Sequence, residues 1–237
     1  EELIIMRPVC AVVGVGPGNG AAFARKFAAE GHNVALLARN KDFLAGLERE
    51  IDGSRAYRCD VTDLNNIQDV FGRIRSELGS VDALIYNAGA GDFTDFDNTT
   101  AAGFEKAWRI NALGCLVASQ QVVPDMRAGG GGNIVIIGAT ASLRGGVNFT
   151  PFASAKAAQR SLAQSMARLL GSDKIHVSYV IIDGVIDLEK TRTSMPDKPD
   201  EFFMSPEDIA ESVYFLTKQP TSAWTFELDL RPFRENW

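Results

Sequence analysis

Cysteine is scarce in this chain: Cys10, Cys59 and Cys115 are odd in number, far apart and set among apolar neighbours. That pattern argues against a disulfide framework or a thiolate metal site and reads as the reduced core thiols of a cytoplasmic protein. Histidine is scarcer still, with only His32 and His176. Positive charge is in deficit, the formal net charge being -6 at pH 7, so nothing marks a nucleic-acid partner. No apolar run approaches the roughly 18 residues of a membrane-crossing helix. The opening Glu1-Glu2 does not begin a basic-then-apolar leader. Neither an internal repeat nor a break in composition divides the 237 residues, which points to a single domain over 1–237. What is left, 46% hydrophobic and 23% charged residues, suits a globular domain able to bury a sizeable core.

Glycine, by contrast, is concentrated near the start. Gly14, Gly16, Gly18 and Gly20 alternate with Val15, Pro17 and Asn19. Before them, Cys10–Val13 is short and apolar and reads as a buried strand; after them, Ala21–Glu30 reads as a helix, with Phe23 and Phe27 on one face. A glycine turn between strand and helix lets backbone approach a ligand closely. It also aims free N–H groups and the positive end of the helix dipole at one point, which suits a phosphate or pyrophosphate. Such turns also merely connect strands to helices, so other positions must decide.

Strand-like and helix-like segments alternate along the rest of the chain. Strands are expected at 33–38, 56–59, 83–86, 133–137, 176–182 and 224–230, and helices at 41–51, 63–78, 101–126 and 149–170. The long helix 101–126 carries Asn111 and Gly114 in its interior. A last helix opens at Ser205, with Pro206 in its first turn and acid at Glu207 and Asp208. This alternation predicts an α/β fold, a single doubly wound parallel sheet of about seven strands with helices on both faces.

Ligands of such sheets bind beyond the carboxyl ends of the strands. His32 and His176 each precede a strand and are expected at the opposite edge, away from any ligand. The second strand ends in Arg39-Asn40, with no acid to bond a ribose 2′-hydroxyl. Arg39 suits a 2′-phosphate, or is simply a solvated arginine. The third strand ends in Asp60-Val61, where Asp60 either accepts from an adenine amino group or caps the next helix. The fourth ends in Asn87-Ala88-Gly89.

Taken together, Gly14/Gly18/Gly20, Asp60-Val61, Asn87-Ala88-Gly89, Asn111 and Lys156 make the chain resemble the short-chain dehydrogenase/reductase family, in order and over nearly the whole length. The resemblance implies a Rossmann-type fold, a bound NADP (less readily NAD) and hydride transfer between nicotinamide and a carbonyl or alcohol on a small-molecule substrate. It implies that the glycine loop (Gly14, Gly16, Pro17, Gly18, Asn19, Gly20), Arg39, Asp60, Val61, Asn87, Ala88, Gly89, Gly184 and Val185 hold the cofactor. Lys156 would bind the nicotinamide ribose and Asn111 a proton-relay water. The helices 101–126 and 149–170 would form the interface of a homodimer or homotetramer, and 187–204 would be a substrate lid.

The family's catalytic pair is missing. Its Tyr-x-x-x-Lys stands here as Phe152-Ala153-Ser154-Ala155-Lys156, and its serine falls on Ala139. Losing general acid–base catalysis costs about 10²–10⁴-fold. Thr140, Ser142 and Ser154 are the nearby hydroxyls, Thr140, Ser142 and Phe152 the expected substrate neighbours, and Lys156 acting through Asn111 and water an alternative proton source. Asp183 takes the place of the family's proline before Gly184, as a turn residue or a contact of the nicotinamide amide. Three functions stay open: an oxidoreductase acting on a reactive carbonyl or activated alkene with a non-standard proton source, a dinucleotide-binding sensor, and an interaction subunit.

Overall fold

The computed structural model describes residues 7–90 and 93–235; Glu1 and Glu2 lie outside it. In chain order the elements are β1 (Val9–Val13), α1 (Asn19–Ala29), β2 (Asn33–Ala38), α2 (Lys41–Glu50), β3 (Ser54–Arg58), α3 (Leu64–Glu77), β4 (Val81–Tyr86), α4 (Ala101–Trp108), α5 (Gly114–Gly129), β5 (Gly132–Ala139), α6 (Thr150–Leu170), β6 (Ile175–Ile182), β7 (Val185–Ile186), α7 (Glu189–Ser194), β8 (Phe203–Met204), α8 (Pro206–Thr217) and β9 (Glu227–Leu230). Seven strands form one sheet in the order β3-β2-β1-β4-β5-β6-β9, every neighbouring pair parallel. This is a Rossmann-type doubly wound sheet, with the order reversing between β1 and β4.

Successive strand residues face opposite sides, and both sides are apolar. Ala11, Val13, Leu84, Tyr86, Ile134 and Ile136 pack with Ile67, Phe71 and Ile74 of α3, Cys115 of α5 and Ala163 of α6. Cys10, Val12, Leu36, Ile85 and Val135 pack on the other side with Phe23 and Phe27 of α1, Leu44 of α2 and Val213 of α8. The three cysteines are free and buried, as their apolar settings indicate. Asn40, Asp63, Thr100 and Ser205 each cap a following helix by accepting from backbone N–H groups, which anchors α2, α3, α4 and α8 at the ligand edge of the sheet.

Three expected elements differ. The helix read as 101–126 is broken by a π-turn at Arg109–Leu113 and continues to Gly129. The turn frees backbone carbonyls, and neighbours take them: Tyr86 Oη donates to Ile110 O at 2.5 Å and Gln159 Nε2 to Asn111 O at 2.8 Å. Gly114 is required there, because a Cβ would sit 2.6 Å from Tyr86 Oη and 2.9 Å from Val61 O. The last strand begins at Glu227, not at Trp224, whose ring stacks on His176 at 4.7 Å. Finally, the stretch 187–204, for which the alternating strands and helices gave no element, contains α7 and is bracketed by the parallel pair β7–β8.

Candidate active site

The glycine loop lies at the carboxyl end of β1. Gly14 has φ 94°, and a Cβ on it would lie 2.4 Å from Ala88 N and 2.6 Å from Ala88 Cα, so only glycine fits. Asn87 Nδ2 donates to Gly14 O at 2.8 Å, and Gly14 N and Val15 N donate to Leu37 O, so the ends of β1, β2 and β4 are tied together. Asn19, in the first turn of α1, is buried with both amide atoms unpartnered. A buried, unsatisfied amide at a helix N-terminus is costly unless a ligand pairs with it.

A cleft of about 400 Å³ opens beside this loop, lined by Gly14, Gly16, Arg39, Asp60, Val61, Asn87, Ala88 and Gly89, with Asn40 and Ile110 also on its wall. Arg39 is exposed at its rim and takes part in no ion pair among the described residues. Asp60 accepts from Thr62 N at 3.0 Å and Thr62 Oγ1 at 2.8 Å, and those bonds, aided by Arg39 and Arg58, pull its pKa down. It therefore braces a turn, while the cap of α3 is Asp63.

Pro17, Gly18, Asn19 and Gly20 form the rest of the loop beyond that wall. Gly18 faces the segment after β6: a Cβ there would meet Leu188 Cδ2 at 2.5 Å and Ile186 Cγ2 at 3.8 Å. Gly184 and Val185 begin that segment, with Val185 in β7.

Gly89 connects the cleft to the second cluster. A Cβ on it would lie 3.4 Å from Asn111 Oδ1 and 3.7 Å from Lys156 Nζ, so both side chains converge there. Lys156 is 5% exposed, and burial pushes its pKa down to about 8. Its Nζ donates to Ile137 O at 2.9 Å and to Gln159 Oε1 at 3.1 Å. The Phe152 ring lies 5.8 Å from Nζ and meets the exposed Phe93 edge-on at 5.5 Å, so an apolar wall stands beside the lysine.

The hydroxyls separate. Thr140 Oγ1 donates to Asp183 Oδ1 at 2.6 Å, joining the ends of β5 and β6; Asp183 also lies 3.8 Å from Arg231. Ser142 is buried, and Ser154 Oγ donates to Thr150 O within its own helix. Lys156 and Asn111, expected to act together through water, are joined by the Gln159 amide, which runs from Lys156 Nζ to the Asn111 carbonyl. Sequence reasoning missed Gln159. The signal was its spacing: three residues after Lys156 on a helix puts both on one face. Among the described residues no group of three or more His, Cys, Asp or Glu could hold a metal ion, and no helix is long and apolar enough to cross a membrane.

The comparisons fit this geometry. The family model for short chain dehydrogenase matches residues 8–198. The 7alpha-hydroxysteroid dehydrogenase of Escherichia coli strain K12 is 32% identical over 228 residues, covering 91% of this chain and 89% of its own. Among solved structures, a metagenomic short-chain oxidoreductase in complex with NADP superposes with a TM-score of 0.83 at 25% identity, covering 97% and 99% of the two chains. A 7 alpha-hydroxysteroid dehydrogenase complexed with NADH and 7-oxo glycochenodeoxycholic acid gives 0.85 at 28%, covering 96% and 95%. With its glycine loop, its Asn87-Ala88-Gly89 strand end and its buried lysine in place, the chain belongs to the short chain dehydrogenase family.

Proposed function

We propose that this protein is an NADP(H)-dependent oxidoreductase that acts on a reactive carbonyl or activated alkene with a proton source other than a serine–tyrosine pair. The observation that carries this reading is the cleft that gathers Gly14, Arg39, Asp60, Val61 and Asn87–Gly89. The residues fit a dinucleotide. The unpartnered Asn19 amide and the N-terminus of α1 suit a pyrophosphate, and the exposed Arg39 suits a 2′-phosphate. When bound, the cofactor supplies hydride. The chain supplies the rest: Lys156 holds ribose hydroxyls, Asn111 Oδ1 offers an unpaired acceptor beside it, and Phe93 and Phe152 keep water from one side. A ketone flanked by a second carbonyl, or a quinone, accepts hydride with little acid assistance, so Lys156 or solvent at the cleft completes protonation. The segment 187–204, resting on Gly18 through Leu188, serves as the lid of a single-domain enzyme in the cytoplasm. The exposed Phe104, Trp108 and Leu169 on α4 and α6 support a homodimer or homotetramer.

The second reading is a dinucleotide-binding sensor. It is favoured by Ala139 and Phe152, which bring no ionisable group to the site. One experiment separates the two. NADPH and NADH binding is followed by nicotinamide fluorescence in the native protein and in Arg39→Ala, with NADPH oxidation measured over a panel of dicarbonyls, quinones and enones. The oxidoreductase reading expects turnover and, in Arg39→Ala, about a 10-fold loss of NADPH affinity with NADH unaffected, since a charge-assisted contact contributes about 1.5–3 kcal/mol before solvent screening. Binding without turnover that appears only in Ala139→Ser/Phe152→Tyr establishes the sensor. No binding of either nucleotide overturns both.

A further inference from the structure

Gln159 is fully buried and belongs to none of the expected site positions, yet it bonds to two of them. Its Oε1 accepts from Lys156 Nζ at 3.1 Å, and its Nε2 donates to Asn111 O at 2.8 Å, the carbonyl freed by the π-turn. The amide's negative end therefore meets the ammonium and its positive end the carbonyl, with both matched in one side chain. Ile137 O takes a second proton of Nζ at 2.9 Å.

We infer that Gln159 is a positioning residue for Lys156: its amide bolts Nζ to the π-turn through a link that cannot conduct a proton. Between the pH extremes a carboxamide neither gives up nor takes on a proton, whereas water does both. Lys156 therefore exchanges its proton with the cleft and not with the interior behind it. This rests on the reading that Lys156 faces the cofactor.

The groups facing Lys156 leave Gln159 as the decisive neighbour. From α5 comes Cys115, its thiol pushed up to about 12 by burial. From β6 comes Tyr179, whose phenol donates to Lys156 O at 3.3 Å and is pushed up by burial. β5 contributes the Ile137 carbonyl, the π-turn the uncharged Asn111, and α6 itself the Phe152 ring. Both ionisable neighbours stay protonated through neutral pH.

The test compares the pH profile of NADPH affinity in the native protein, Gln159→Glu and Gln159→Met, with circular dichroism as the check on folding. A carboxylate about 3 Å from a buried ammonium raises the lysine's pKa by about 1–3 units. The alkaline loss of affinity is thus expected to move up by at least one pH unit in Gln159→Glu. In Gln159→Met, affinity is expected to fall about 10-fold at neutral pH as Nζ loses its anchor. Superimposable profiles in folded variants overturn the inference. If neither nucleotide binds, the same displacement is sought in the pH dependence of urea stability, which needs no cofactor and separates failure of the functional reading from failure of this one. If the variants do not fold, the side-chain ¹⁵N-amide resonances of glutamine in the native protein decide. One slowly exchanging pair that titrates with Lys156 supports the bond, and no pair that titrates overturns it.

Discussion

Replacing Lys156 by methionine removes a charge that the fold holds at a cost, and the cost can be read from pH. The lysine is buried against two neutral acceptors and no carboxylate, and its pKa falls from 10.5 to about 8. Below pH 8 the folded and unfolded chains both carry the proton, and the folded state bears the whole penalty. Between about 8 and 10.5 the folded chain has shed a proton that the unfolded chain keeps, so stability rises with pH. Above 10.5 both are neutral and the penalty is gone. At about 1.4 kcal/mol per unit, the native protein should gain about 3 kcal/mol on Lys156→Met between pH 7 and pH 11. The assay is urea unfolding of both proteins at several pH values, taking the difference in ΔG. Every other titration, and the fixed loss of the bonds to Ile137 and Gln159, is the same at each pH or cancels. Curves that stay parallel would refute a depressed lysine, and the role given to burial with it.

Two further substitutions probe the frame around the site. Gly14→Ala forces a left-handed φ on alanine and drives its Cβ into Ala88 backbone. It should destabilise the protein by about 2–4 kcal/mol and abolish NADPH fluorescence enhancement, as thermal and nucleotide titrations would show. Tyr86→Phe leaves the Ile110 carbonyl buried without its donor, an expected loss of about 1–3 kcal/mol in urea unfolding with secondary structure retained.

The sheet was legible because its strands announce themselves twice, by β-branched apolar runs and by the turn residues that end them. At 33–38 the limits are plain on both sides: Asn33 opens the run, Ala38-Arg39-Asn40 closes it, and the observed strand has those bounds. The strand ends carrying Gly14, Arg39, Asp60 and Asn87 followed from the same reasoning, and the cleft gathers all four. The π-turn was not legible, since Arg109–Leu113 has the same local preferences as an ordinary helical turn. What fixes it is tertiary: the Tyr86 hydroxyl and the Gln159 amide wait for its carbonyls. β7 and β8 are two residues each, too short for any period to register.

The π-turn also constrains how this chain can change. It stores one surplus residue within what is otherwise a single rod, and each helical residue turns the rod by about 100°. If Arg109–Leu113 regularised to α-helix with every residue kept, all that follows would rotate by about 100°. The buried stripe of α5, with Cys115, Val117, Ala118, Val122 and Met126, would swing away from the sheet toward solvent. The bulge that presents Asn111 is therefore locked in by a core several turns downstream for as long as the surplus residue is kept.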